Sequence, residues 1–128
     1  MPQPETIVIL GASRSRNKFG NIAVRAFAAE GHDVYPVNPY AEEIEGIKCC
    51  KSLSELPIRD VDRVSVYLHP EVGITLLEEI QALNPAEVWF NPGSESPELV
   101  AKAEKLGLPI IQACSILGVG RSPSEFGN

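Results

Sequence analysis

The sequence predicts a doubly wound α/β domain: a five-stranded, mainly parallel sheet with helices on both faces. Three observations carry that prediction. Short Val- and Ile-rich runs alternate along the chain with longer stretches of helical periodicity. Most of the short runs lack polar alternation, as strands covered on both faces do. Glycines and prolines stand where the segments should end. A length of 128 residues suits one such unit.

Strands are expected at 6–10, 33–37, 63–68, 87–90 and 109–113. Between the first two, Ile22, Val24, Ala26, Phe27 and Ala28 form the apolar stripe of a helix over 21–30, and Gly31 follows at the C′ position. The next helix is expected over 71–83, where Val72, Leu76, Leu77, Ile80 and Leu83 recur at helical spacing until Asn84-Pro85 stops them. Ser96 reads as an N-cap with Pro97 in the first helical position, and Gly107 closes that helix. The stretch 40–57 is less regular. Gly46 interrupts it, Lys48-Cys49-Cys50 reads as a short extended piece, and 52–56 as a brief helix, together a shortened second crossover. The domain is expected to span 1–117, with 118–128 as a loose tail of little apolar periodicity.

Composition removes several function classes. Against 11 Lys+Arg stand 17 Asp+Glu, a formal charge of −6, which offers no broad attraction to nucleic acid or to an anionic membrane. The first residues hold no basic n-region, and the apolar run 7–10 is too short for a signal or a membrane span, so a cytoplasmic location is expected. Three cysteines without CxxC spacing point to reduced thiols, not to disulfides or a zinc site.

The chemistry concentrates after the first strand, in Gly11-Ala12-Ser13-Arg14-Ser15-Arg16-Asn17-Lys18-Phe19-Gly20. In a parallel sheet this loop lies at the carboxyl end of the strand, beside the point where strand order reverses and ligands bind. Gly11 allows a sharp turn, Ser13 can donate a hydroxyl hydrogen bond, and unpaired N–H groups near Gly20 face whatever lies over the helix start. From Thr6 to Ala29 the chain carries the cations Arg14, Arg16, Lys18 and Arg25 and no carboxylate. Such a cluster suits an anionic ligand with more than one phosphate. The dinucleotide fingerprint GxGxxG is missing, and Asn38 stands where an acidic residue would accept ribose hydroxyls.

Gly11-Ala12-Ser13 with Lys18 and Gly20, then Val34-Tyr35-Pro36-Val37-Asn38-Pro39, then Gly46-Ile47-Lys48-Cys49 followed by Ser52-Leu53, form an ordered set. That set resembles the small stand-alone coenzyme A-binding proteins, similar in fold to the CoA-binding domain of the succinyl-CoA synthetase α subunit. The likeness runs from about Thr6 to Cys114. It implies a Rossmann-like domain that binds CoA or an acyl-CoA, with Gly11, Ala12, Ser13, Lys18 and Gly20 around the phosphates. By the same resemblance Val37, Asn38, Pro39 and Tyr40 border adenosine, Lys48 and Ser52 reach the ribose phosphate side, and Leu68, His69 and Pro70 flank the middle of the ligand. After the fourth strand the family pattern is tryptophan, glutamine, glycine; here Trp89-Phe90-Asn91-Pro92-Gly93 departs from it, with Asn91 standing in for the amide. Cys114 falls where the family commonly has a cysteine, which would bring it near the CoA sulfur.

No catalytic constellation is visible. Ser13 lacks a nucleophile elbow and triad partners, and the run Glu42, Glu43, Glu45 reads as a solvated turn rather than a metal site. His32, in the turn between first helix and second strand, reads as structural, and His69 as part of the binding rim. The expected role is a non-catalytic carrier, sensor or partner subunit, acting as a homo-oligomer or with an unidentified protein partner. Two other readings stay open: an NAD(P)-binding redox or sensor protein, and an interaction module that has lost ligand binding.

Overall fold

The computed structural model describes residues 3–117. The chain runs β1 (Thr6–Leu10), α1 (Phe19–Ala29), β2 (Asp33–Val37), β3 (Glu43–Ile44), β4 (Ile47–Lys48) and β5 (Arg63–Val66). It continues through α2 (Pro70–Gly73), α3 (Leu77–Ala82), β6 (Glu87–Phe90), α4 (Pro97–Lys105) and β7 (Ile110–Ile111). Five strands form one parallel sheet in the order β2-β1-β5-β6-β7, while β3 and β4 make a separate antiparallel hairpin. The predicted Rossmann-like, doubly wound architecture is the one observed. From β1 the chain moves outward to β2, then crosses back over β1 to β5. The switch point therefore lies between the carboxyl ends of β1 and β5, where open α/β sheets hold ligands.

Helices cover both faces because successive strand residues, which point to opposite faces, are apolar in turn. Ile7 and Ile9 pack with Ile22, Val24 and Phe27 of α1, whereas Val8, Leu10, Val64, Val66 and Phe90 pack with Leu77, Ile80 and Leu99 on the other side. The caps follow the sequence. Ser96 Oγ accepts from the Leu99 amide at 3.1 Å, with Pro97 opening α4, and Gly31 and Gly107 adopt the positive φ of helix-terminating residues.

Three elements depart most from their predicted extents. The strand expected over 63–68 ends at Val66, because Tyr67 and Leu68 turn toward the switch point after the Tyr67 amide bonds Leu10 O at 2.8 Å. The helix expected over 71–83 is two short helices joined by a 3-10 turn at Ile74–Leu76. Thr75 Oγ1 donates to Val72 O at 2.6 Å within this stretch, a local side-chain bond that competes with regular helix. The last strand shrinks to Ile110–Ile111, since Pro109 has no N–H to donate and β7 is an edge with one neighbour. The tail expected at 118–128 lies outside the described residues. Among those residues no helix is long and apolar enough to cross a membrane, and no group of three or more His, Cys, Asp or Glu is placed to hold a metal.

Candidate binding site

The site grows from one tight crossing. Gly11 leaves β1 with φ +93°, and a Cβ there would sit 3.0 Å from the Tyr67 backbone, so the close approach of the β1 and β5 ends requires glycine. Gly20 in the first turn of α1 is tighter still: a Cβ would lie 2.2 Å from the Gly11 carbonyl oxygen. The amides of Gly11 and Ala12 share Val37 O at 3.3 Å each. Asn38 Nδ2 donates to Ala12 O at 2.8 Å while its Oδ1 accepts from the Tyr40 amide at 2.7 Å. Loop and β2 end are thus locked together, with both ends of the Asn38 amide engaged in that lock.

Above the lock lies a cleft of about 610 Å³. Gly11, Ala12, Ser13 and Lys18 line it from the first loop, and Val37, Asn38, Pro39 and Tyr40 from the β2 end. Ser52 and Lys51 close one side, Leu68 and His69 the other. Ser13 Oγ accepts from the Ser15 amide at 3.0 Å, which leaves the hydroxyl proton to donate into the cleft. Lys18 is the N-cap of α1 but makes no capping bond, and the first turn of the helix holds no carboxylate. The Asn21 and Ile22 amides are taken by Lys18 O at 3.0 Å each, which leaves the Phe19 and Gly20 amides as donors beside a cation. A neighbouring depression carries the same floor onward: Lys18, Phe19 and Gly20 face Pro92, Gly93 and Ser94 across it. The hydroxyl and ammonium line a pocket of ordinary ligand size and the two helix amides lie at the depression beside it, a donor set of the kind that suits a phosphorylated ligand.

The cationic cluster, by contrast, is divided. Lys18 faces the cleft, and Arg14 lines a rim depression with Pro39, Tyr40 and Lys51. Arg16 turns away: its Nε lies 3.8 Å from Glu45 Oε2, and its carbonyl accepts from Arg25 at 2.7 Å. Buried Asn21 joins this group, donating to Ser13 O at 2.9 Å and Glu45 Oε2 at 3.0 Å and accepting from Arg25 Nε at 2.7 Å. The acidic run expected as a solvated turn thus contributes Glu45 to pinning the β3–β4 hairpin on α1.

Three further expected site residues stand elsewhere. Lys48, on β4, borders a separate depression with Asp33, Tyr35 and Glu55. The cation that reaches the cleft is Lys51, because the chain after the hairpin adds to the edge of β2 through the Val37–Cys50 bridge. Asn91 is 3% exposed and spends its side chain on the fold: Nδ2 donates to Ser65 Oγ and Val66 O, and Oδ1 accepts from the Ser115 amide at 2.7 Å. Pro70 lies beyond His69, in a second cleft between α2 and α4. Leu53, Tyr67, Val72 and Leu76 line the main cleft without having been expected there. Cys114 packs against the second core cluster beside Tyr67. The Cys49 thiol is pushed up by burial, against the Asn38 carbonyl that lowers it. His32 serves structure, its Nδ1 accepting from the Glu5 amide at 2.9 Å.

Fold and cleft together define a Rossmann-like domain with an open cleft at its switch point. The chain belongs to the CoA binding domain family, whose model matches residues 5–120. It is 34% identical over 77 residues to the ADP-forming acetate–CoA ligase of Methanocaldococcus jannaschii, and 32% identical over 119 residues to the ADP-forming acetate–CoA ligase II subunit alpha of Pyrococcus furiosus. Those matches take in 59% and 84% of this chain but only 11% and 26% of the relatives, so the chain spans a small part of either. The solved structure of a conserved hypothetical protein from Pyrococcus furiosus superposes with a TM-score of 0.80 at 34% identity, covering 91% of this chain and 99% of that one.

Proposed function

We propose that this domain binds coenzyme A or an acyl-CoA at the switch point, as a non-catalytic carrier, sensor or partner subunit. The observation that carries the reading is the convergence of Ser13 and Lys18 with the Pro39–Tyr40 edge in one cleft, with Phe19 and Gly20 at the start of α1 in the depression that adjoins it. The phosphates of the ligand would lie on the first group and its adenosine against the second. Bound CoA supplies a thiol that carries acyl groups; the protein's own residues supply the grip. Asn38 argues against a nicotinamide dinucleotide, since it stands at the end of β2 where the dinucleotide fingerprint has an acidic residue, and its side chain is tied to Ala12 O and the Tyr40 amide. A partner-subunit role accords with the likeness to a ligase alpha subunit.

Calorimetric titration with CoA and with NAD tests the reading. CoA should bind more tightly, and at one hundred times its Kd it should stabilise the fold by about 2.7 kcal/mol. Lys18→Glu should weaken CoA binding at least about tenfold by turning a charge-assisted contact into repulsion. Lys48→Glu, the same charge change outside the cleft, should leave it within twofold. Tighter binding of NAD, or equal effects of the two substitutions, would overturn the assignment.

A further inference from the structure

The second cleft, between α2 and the start of α4, encloses about 730 Å³ and joins the first through shared residues His69 and Val72. Its size lies within the roughly 300–1,000 Å³ of small-molecule sites. Among the described residues four large hydrophobic side chains stand exposed: Phe19, Tyr40, Val72 and Leu117. Three of them border the connected cavities, and each faces a different stretch of the path. Tyr40 stands at the β2 end and Phe19 beside the α1 start, while Val72, 49% exposed, stands where the two clefts meet. Exposed apolar surface gathered along a groove marks contact with apolar parts of a ligand. The phosphate donors and the Tyr40 edge account for the nucleotide end; Val72 and Ile74 face the space beyond His69, which the nucleotide does not need.

From this geometry we infer that the second cleft is an acyl chamber and that the domain prefers CoA thioesters with an uncharged, apolar acyl group. The inference rests on the CoA reading above. A ligand with phosphates at Ser13 and Lys18 and adenosine toward Tyr40 directs its thiol arm past His69, over Val72. The chamber offers a thioester's hydrocarbon chain the side chains of Val72 and Ile74. Two exposed carboxylates, Glu71 and Glu98, stand in the first turns of α2 and α4 around it. They repel an acyl group ending in a carboxylate. The nearby cation Lys102 does not offset them, since its ammonium is held by Glu78 at 3.0 Å and by Ile74 O at 3.2 Å.

Titration of the protein with CoA, hexanoyl-CoA and succinyl-CoA tests this directly. Hexanoyl-CoA should bind at least tenfold more tightly than CoA, and succinyl-CoA more weakly than CoA. Glu98→Lys, an exposed change outside the main cleft, should bring succinyl-CoA to or above the affinity of CoA. Ile74→Ser should reduce the hexanoyl preference by at least threefold, with CoA as the internal reference for a folded site. If CoA binds but hexanoyl-CoA matches it within twofold, the chamber assignment fails while the CoA reading stands. If neither CoA nor any thioester binds, both fall.

Discussion

At the scale of single residues, two glycines and one asparagine set the geometry of the cleft. Gly20 allows the α1 start to touch the Gly11 carbonyl, a contact with backbone that no rotamer change can relieve. Gly20→Ala should therefore destabilise the domain by about 1–3 kcal/mol, as overpacking does, and weaken CoA binding with it. Urea unfolding and titration of the same preparation measure both; an unchanged midpoint would show that the loop yields freely. Asn21 makes three hydrogen bonds from a fully buried position. Asn21→Leu removes the donor to the Ser13 carbonyl and one acceptor of the Arg25 guanidinium, at a cost of about 1–3 kcal/mol in the same assay. These residues also mark where the reading of the sequence succeeded and failed. The glycines were legible, because a strand followed by Gly and a polar loop implies a tight turn. The division of the cations was not, since Arg14, Arg16 and Lys18 look alike in sequence and differ only through Glu45, a residue on a distant hairpin.

Among the elements, the strands and the first and last helices were readable because apolar period and caps agree along short stretches of chain. What escaped was set by long-range pairing. Lys51 enters the cleft and Lys48 does not because one parallel bridge, Val37 to Cys50, draws the chain after the hairpin alongside β2. No local periodicity signals a bridge of that kind. Asn91 shows the same effect. Its position just past β6 suggested a ligand contact, yet it ties β5 and β6 to the segment after β7 through Ser65, Val66 and Ser115. Asn91→Ala should cost about 1–3 kcal/mol, and amide exchange should rise first at Ser115, whose N–H loses its acceptor. If Ser115 exchange stays as slow as in the parent protein, the clamp is not what holds that segment.

For the molecule as a whole, the buried acids of the core make stability fall in alkali. Burial pushes the Tyr67 phenol well above its usual range; Cys114 adds to the rise, and the Ser65 hydroxyl and Arg63 guanidinium oppose it without prevailing. The Cys49 thiol is raised in the same way, by burial first. In both groups the folded state favours the neutral acid, so the unfolded chain ionises first as pH climbs. Unfolded Cys and Tyr lose their protons near about pH 8.5 and about pH 10. Their contribution to stability is complete below those values and is lost as pH rises above them, by up to about 1.4 kcal/mol per pH unit for each group. Tyr67 allows the two to be separated. Its buried hydroxyl has no partner in hydrogen-bond geometry, so Tyr67→Phe should change neutral-pH stability by less than about 1 kcal/mol. Urea unfolding at pH 7 and pH 11 should then show the parent protein losing about 1.4 kcal/mol more than the variant, since one pH unit lies between 10 and 11. Parallel losses in the two proteins would mean that Tyr67 ionises in the folded state as readily as in the unfolded chain, and that the wall it forms between the cleft and the second core cluster is open to water.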